Sequence, residues 1–257
     1  MRICIFVDME GISGVSGSDF VRTDGRLYGS ARKYYTQELN VCAQACFKAG
    51  ADAVLARDGH GSGNHMLWDE LDARVELIQG ATGPVRLPEI SECDALILLG
   101  YHAMAGTAGA LLEHTYSSAS IQNMWLNGRP VGEVGIDAAV AGDYGVPTIL
   151  VTGDDYVCRE AQDWIPGVVT CEVKKGLGCQ AARLLSRPEA HRRLEAATID
   201  AIQRRGQIPP LRVPHPVTLR TEVMERCAIP VGHLGVRILD GRTYEKTAAT
   251  VEEAFFV

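Results

Sequence analysis

The sequence predicts an α/β fold: a three-layer arrangement of one sheet with helices on both faces, followed by a smaller C-terminal α+β region. Three observations carry this expectation. The runs ICIFV at 3–7, ALILL at 95–99 and ILV at 149–151 are apolar throughout, with no alternation, and so read as strands buried on both faces. Stretches with helical patterning alternate with them. Each run also gives way at once to glycine and polar residues, where a chain leaves a strand for a loop or helix.

Taken in order, the first strand stops at Asp8. YYTQELNVCAQACFKAG then reads as a helix closed by Gly50. ADAVLARDGHG carries a short strand through Val54 and Leu55 that breaks at Asp58-Gly59, and RVELIQG is a further candidate. CDALILLGYHA is the clearest buried strand. IQNMWLNGRPVGEVG contains Asn127-Gly128, a hairpin signal, and leads into a helix of small residues, GEVGIDAAVAGDYG. VPTILVTGDD is the next strand. Beyond about residue 165 the texture changes: VVTCEVKKG reads as a strand, 178–205 as one long polar helix, and VTLRTEV as a strand after a proline-rich loop. TAATVEEAFFV has the look of a helix that stops after its first turns. The expected division is a 1–165 α/β domain and a 166–257 α+β domain that completes the subunit and its oligomer.

Composition narrows the function. With 46% hydrophobic and 22% charged residues, the 257-residue chain can bury a full core and has no disordered character. A formal net charge of −7 excludes a nucleic-acid surface or an anionic membrane as the expected partner. The apolar stretch after Arg2 is too short for a secretory leader and is stopped by Asp8. Eight scattered cysteines form no C-x-x-C pair and mostly sit in apolar patterns, as buried thiols in a reducing compartment do. The cytoplasm is the expected location.

The residues that follow the strands carry the chemistry. The first strand ends in Asp8 and Glu10, which point the same way from an extended chain. The second ends in Asp58-Gly59-His60, the CDALILLG strand in Tyr101-His102, and VPTILVTG in Asp154-Asp155. Glu133 opens the small-residue helix. Each has an ordinary explanation alone: a turn histidine for His60 or His65, a core histidine for His102, a first-turn glutamate for Glu133, an N-cap for Asp154. Together they converge on the carboxyl edge of the sheet, where open α/β folds bind ligands.

Charge counting points to metal. Asp8, Glu10 and Glu133 bring three negative charges and His60 and His102 neutral nitrogen ligands. Two divalent ions with one bridging hydroxide bring that set to neutrality, and mixed nitrogen and oxygen ligation suits zinc. A bridging carboxylate such as Asp8 would hold two ions ~3.5–4 Å apart. Asp58, Asp154 and Asp155 are candidates for orienting the histidines.

The motifs VDMEGISG, RDGHGSGNHM, LGYHAMAGT, EHTYSS and NGRPVGEVGIDAAVAGDYGVPTILVTGDD together resemble the zinc-dependent D-aminopeptidases of the DppA type, and the similarity continues through TCEVKKGLG. The resemblance implies hydrolysis of short peptides with an N-terminal D-amino acid such as D-Ala. It implies two zinc ions on Asp8, Glu10, His60, His102 and Glu133, and a catalytic histidine at His114. A ring-like homo-oligomer, with ten subunits as the candidate size, is also expected of the family. The chemistry would be attack by metal-activated water, with His114 as proton donor, oxyanion stabiliser or nucleophile. The small residues of 103–110 would form the wall that selects the D-enantiomer. The rivals are another two-metal amidohydrolase and a peptide-binding or sensor protein that keeps a metal; a spare histidine beside the ligand set argues against the sensor.

Overall fold

The computed structural model describes residues 1–226 and 228–257. In chain order the strands are β1 (Arg2–Val7), β2 (Ala53–Asp58), β3 (Val75–Ile78), β4 (Ala95–Tyr101), β5 (Ile121–Leu126), β6 (Arg129–Pro130), β7 (Thr148–Gly153), β8 (Val169–Glu172), β9 (Lys174–Gly178), β10 (Ala181–Leu184), β11 (Val217–Val223), β12 (Val236–Ile238) and β13 (Thr243–Ala248). The helices are α1 (Ser18–Val21), α2 (Tyr28–Lys48), α3 (Glu133–Asp143), α4 (Asp155–Trp164), α5 (Arg187–Arg204) and α6 (Val251–Phe255).

The apolar runs form a six-stranded parallel sheet in the order β3-β2-β1-β4-β7-β8. Strand alternation divides β1 between two cores. Cys4 and Phe6 face a core shared with α3, α4 and the second sheet, while Ile3, Ile5 and Val7 face one shared with α2 and α5. Both faces of β1 are therefore dry, which is why its sequence carries no polar alternation. The chain winds outward from β1 in one direction and from β4 in the other. The sheet thus has its topological switch point between these two strands, and a crevice opens beyond their carboxyl ends.

The second sheet is antiparallel, in the order β12-β13-β11-β5-β6. Its β5–β6 turn places Asn127 at φ 50° and Gly128 at φ 84°, the paired left-handed conformations that an Asn-Gly hairpin turn uses. Pairing crosses residue 165 in both directions: β8 completes the parallel sheet, and β5 and β6 belong with β11.

The long helix expected over 178–205 is shorter. It begins at Arg187, and the preceding segment is the β9–β10 hairpin. Pro188 explains the start, because proline fits the first turn of a helix and would break its interior. Gly176 and Gly178 favour the hairpin, and Gly178 takes φ 134°, outside the helical region. Gly50 ends α2 at φ 96°, as expected. Six of the cysteines are buried and Cys179 is exposed, all as free thiols; Cys227 lies outside the described residues.

The loop after β1 is pressed into the switch point. Asp8 N–H donates to Leu99 O at 2.8 Å and Gly11 N–H to Gly100 O at 2.7 Å. A Cβ at Gly11 would lie 1.9 Å from the Tyr101 carbonyl oxygen, so only glycine fits. Gly11→Ala is expected to destabilise the protein by ~1–3 kcal/mol or more, measured by urea denaturation of chelator-treated protein.

Candidate metal centre and active site

The loop after β1 delivers Asp8 and Glu10, the loop after β2 delivers His60, the residue just past β4 is His102, and α3 opens with Glu133. His114 comes from the loop between β4 and β5. The six lie in one crevice and sort into two groups, Asp8–Glu10–His60 and His102–His114–Glu133. Within each group, one potential ligand atom per residue lies within 4.8 Å of the others. Asp8 faces both: its Oδ1 is 3.1 Å from His60 Nδ1 and its Oδ2 is 3.3 Å from His102 Nε2. Glu10 Oε2 is 3.0 Å from His60 Nδ1, and Glu133 Oε1 is 3.1 Å from His102 Nε2 and 3.8 Å from His114 Nε2. The His102 and His114 rings stack at 4.0 Å with 8° between their planes.

Main-chain carbonyls set the three rings. His60 Nε2 donates to Val21 O at 3.0 Å, His102 Nδ1 to Ala103 O at 3.0 Å, and His114 Nδ1 to Leu112 O at 2.9 Å. A carbonyl can only accept, so the opposite nitrogen of each neutral ring turns a lone pair toward the crevice. In a neutral ring that lone pair meets carboxylate oxygens, acceptor against acceptor, whereas a protonated His60 donates Nδ1–H to Asp8 Oδ1 at 3.1 Å. Glu10 Oε2 and His102 Nε2 are accordingly buried without an aligned hydrogen-bond partner, although acceptors stand at contact distance. Atoms that converge on common points, rather than on one another, are arranged as the ligands of a cation. Three carboxylates with imidazole nitrogens fit zinc.

Among the side chains, the carboxylates find positive charge in protonated imidazoles and, for Glu133, in Arg86 as well, 3.6 Å from its Oε2. Burial disfavours the His60 and His102 imidazolium ions, yet the facing carboxylates (Glu10 and Asp8, Glu133 and Asp8) carry both well above the usual histidine range. Burial likewise pushes the Asp8 carboxyl up, but His102 and His60 hold it well below its ordinary value. A metal ion entering the crevice competes with those protons.

The model of the D-aminopeptidase peptidase family matches residues 1–257. The chain belongs to the D-aminopeptidase family. It is 36% identical over 224 residues to the D-aminopeptidase of Bacillus subtilis (strain 168), covering 86% of this chain and 81% of that protein. Its fold superimposes with a TM-score of 0.92 on the Zn-dependent D-aminopeptidase DppA from Bacillus subtilis, described as a self-compartmentalizing protease. That match is at 32% identity and covers 99% of this chain and 94% of that one.

In this D-aminopeptidase family member, the aspartates expected to orient the histidines accept from backbone amides instead, and Asp58 from the Tyr35 hydroxyl as well. Asp58 accepts from Tyr35 Oη at 2.9 Å and from the His65 and Met66 amides, fixing the chain after His60. Asp154 caps α4 at Tyr156 and Val157 and accepts from Leu111 N at 3.0 Å, while Asp155 accepts from Gly176 N at 3.0 Å. Backbone amides at these loop ends need acceptors, and a short aspartate reaches them first. His65 is no surface turn residue either. It is buried, its Nδ1 lies 2.6 Å from Tyr28 Oη, and its ring packs edge-on against His60 at 4.8 Å.

Four charges behind the site went unread in the sequence: the part-buried Arg86 and the buried Asp137, Lys174 and Glu160. Arg86 forms a fork with Asp137 at 2.7 and 2.9 Å, lies 3.6 Å from Glu133 Oε2, and stacks between Phe6 and Tyr116. Tyr116 N–H donates to Glu133 Oε1 at 2.8 Å. Asp137 stands one helical turn beyond Glu133, the one signal that could have flagged this pair. Lys174 holds the loop after β1. Glu160 Oε2 accepts from Met104 N at 2.7 Å, two residues past His102, and its Oε1 packs against Gly132.

Burial pushes the Glu160 carboxyl from its usual 4.5 to about 7. The folded chain therefore keeps this proton where the unfolded chain loses it, and stability falls as pH rises from 4.5 to about 7. Glu160→Gln should melt close to wild type at low pH, and gain on the order of 2–3 kcal/mol over wild type above neutral pH. Thermal melts of chelator-treated protein across pH check this.

Proposed function

We propose that the chain is a zinc-dependent D-aminopeptidase that holds two zinc ions. Asp8, Glu10 and His60 would hold one, and His102 and Glu133 the other, with Asp8 shared. The single observation that carries this reading is the division of the two Asp8 oxygens between the two histidine clusters. When bound, zinc supplies Lewis acidity that polarises the scissile carbonyl and makes water acidic enough to react at neutral pH.

His114 is the catalytic residue in this reading. Its Nδ1–H is committed to Leu112 O, so Nε2 can take a proton from the attacking water and return it to the departing amine nitrogen. The stack on His102 keeps the ring facing the crevice. The 103–110 segment is the proposed stereochemical wall. It is anchored by Glu113 to Gly106 N, by Thr115 to Ala105 N and by Gly178 N–H to Gly109 O, so small residues form a fixed surface there. All six site residues lie within 1–165, which we take as the catalytic part, with 166–257 completing the subunit. We extend to this chain the self-compartmentalizing assembly described for the Bacillus relative, as a homo-oligomer of ten subunits. The exposed Val231 and Leu234 offer apolar surface for it. Among the described residues no helix is long and apolar enough to cross a membrane, and the buried thiols suit the cytoplasm.

Chelation is expected to abolish activity, and zinc to restore it at two ions per chain by elemental analysis. His114→Ala should retain both ions and lose ~10²–10⁴-fold in kcat; loss of one ion would make His114 a ligand instead. Cleavage of D-Ala-D-Ala and D-Ala amide should exceed that of the L forms in kcat/KM, with D-Phe substrates slower. Equal rates for the two enantiomers would refute the D-specific reading.

A further inference from the structure

The geometry points to Lys174 as a positioning residue for the Asp8–Glu10–His60 cluster: its ammonium fixes the backbone from which Glu10 reaches into the crevice. The inference rests on the reading of those three residues as metal ligands. Lys174 opens β9 and is 2% exposed, while Lys175 beside it, on the opposite face of the strand, is half exposed. Its Nζ donates to Glu10 O at 2.6 Å, Ile12 O at 2.8 Å and Val15 O at 2.9 Å. An ammonium has three donors, and here all three are used. Such complete satisfaction is what allows a charge to sit in a dry interior.

The same loop is held from its other side by Glu38 of α2, whose Oε2 accepts both the amide, at 2.9 Å, and the hydroxyl of Ser13. A buried cation and a buried anion thus grip one six-residue turn through its backbone. Among the described residues, both bond to the loop's backbone, Glu38 to the Ser13 hydroxyl as well, and neither bonds to the side chain of Asp8, Glu10 or His60. Among the described residues, the Glu10 and Val15 carbonyls have no hydrogen-bond donor other than Lys174. Without the ammonium, the Glu10 carbonyl would have to turn toward water, and the carboxylate on the same residue would turn with it. The second cluster hangs on β4, the β4–β5 loop and α3, which Lys174 does not touch. The two sites share Asp8, but its amide is held by Leu99 O rather than by Lys174, so the loss on removing Lys174 falls mainly on the Glu10 site.

The test is a zinc competition titration against a chromophoric chelator, with thermal melts alongside, for wild type, Lys174→Met, Lys174→Gln and Glu10→Gln. Loss of an outer partner typically weakens metal binding ~10–100-fold, and Lys174→Met should show that loss at one zinc while the other binds nearly as in wild type. Lys174→Gln keeps an amide with two N–H donors and should fall between, which also preserves the test if the methionine variant does not fold. Activity of both variants should recover as zinc is raised. Folded variants with lower Tm but both zinc affinities unchanged, or lowered together, overturn the assignment and leave the two-zinc reading standing. Zinc binding that Glu10→Gln does not alter overturns that reading, and the role of Lys174 with it.

Discussion

Three carboxylates buried in one crevice repel one another, and the rest of the structure is arranged around that repulsion. At an effective dielectric of ~20, two like charges 4 Å apart cost about 4 kcal/mol, so Asp8, Glu10 and Glu133 cannot sit together undefended. Positive charge is supplied on every side. His60 and His102 face the carboxylates directly, Arg86 stands behind Glu133, and the amino end of α3 places its helix dipole at the same residue. A divalent cation is the strongest member of this series, and the crevice has the donors to hold it.

The fold contributes position more than charge. The switch point brings the ends of β1 and β4 side by side, so residues 94 positions apart in sequence, Asp8 and His102, become neighbours. The antiparallel sheet and α6 pack on the outer side of α3, with Phe255 against Tyr116 at 4.5 Å, and so support the shell behind Glu133. Strand ends and a helix start place the candidate ligands, and loop carbonyls tie off the histidine rings.

Much of this was legible in the sequence because it depends on local pattern. Unbroken apolar runs mark strands β1, β4 and β7, and their polar ends mark the edge where Asp8, Glu10, His60 and His102 meet. Asn127-Gly128 marks its own turn. The parts that were not legible depend on distant partners. Arg86 sits in a proline-bounded loop that carries no period, and its role appears only when Asp137 and Glu133 are folded against it. The β9–β10 hairpin is obscured because glycines and a buried lysine replace the apolar half of its alternation. The rings of His60, His102 and His114 are held by main-chain carbonyls, which every residue possesses, so no side chain could announce them.

The two halves of the β1 loop clamp also differ in when they become available. Every candidate ligand has been synthesised once Glu133 leaves the ribosome, yet the carbonyl of Glu10 waits for a lysine 164 residues further along the chain. A nascent polypeptide long enough to carry the complete ligand set still lacks the residue that stiffens half of it. The loop that carries Glu10 gains this anchor only once residue 174 of 257 has been added, and a truncated product that ends before β9 would present a carboxylate-rich loop without it.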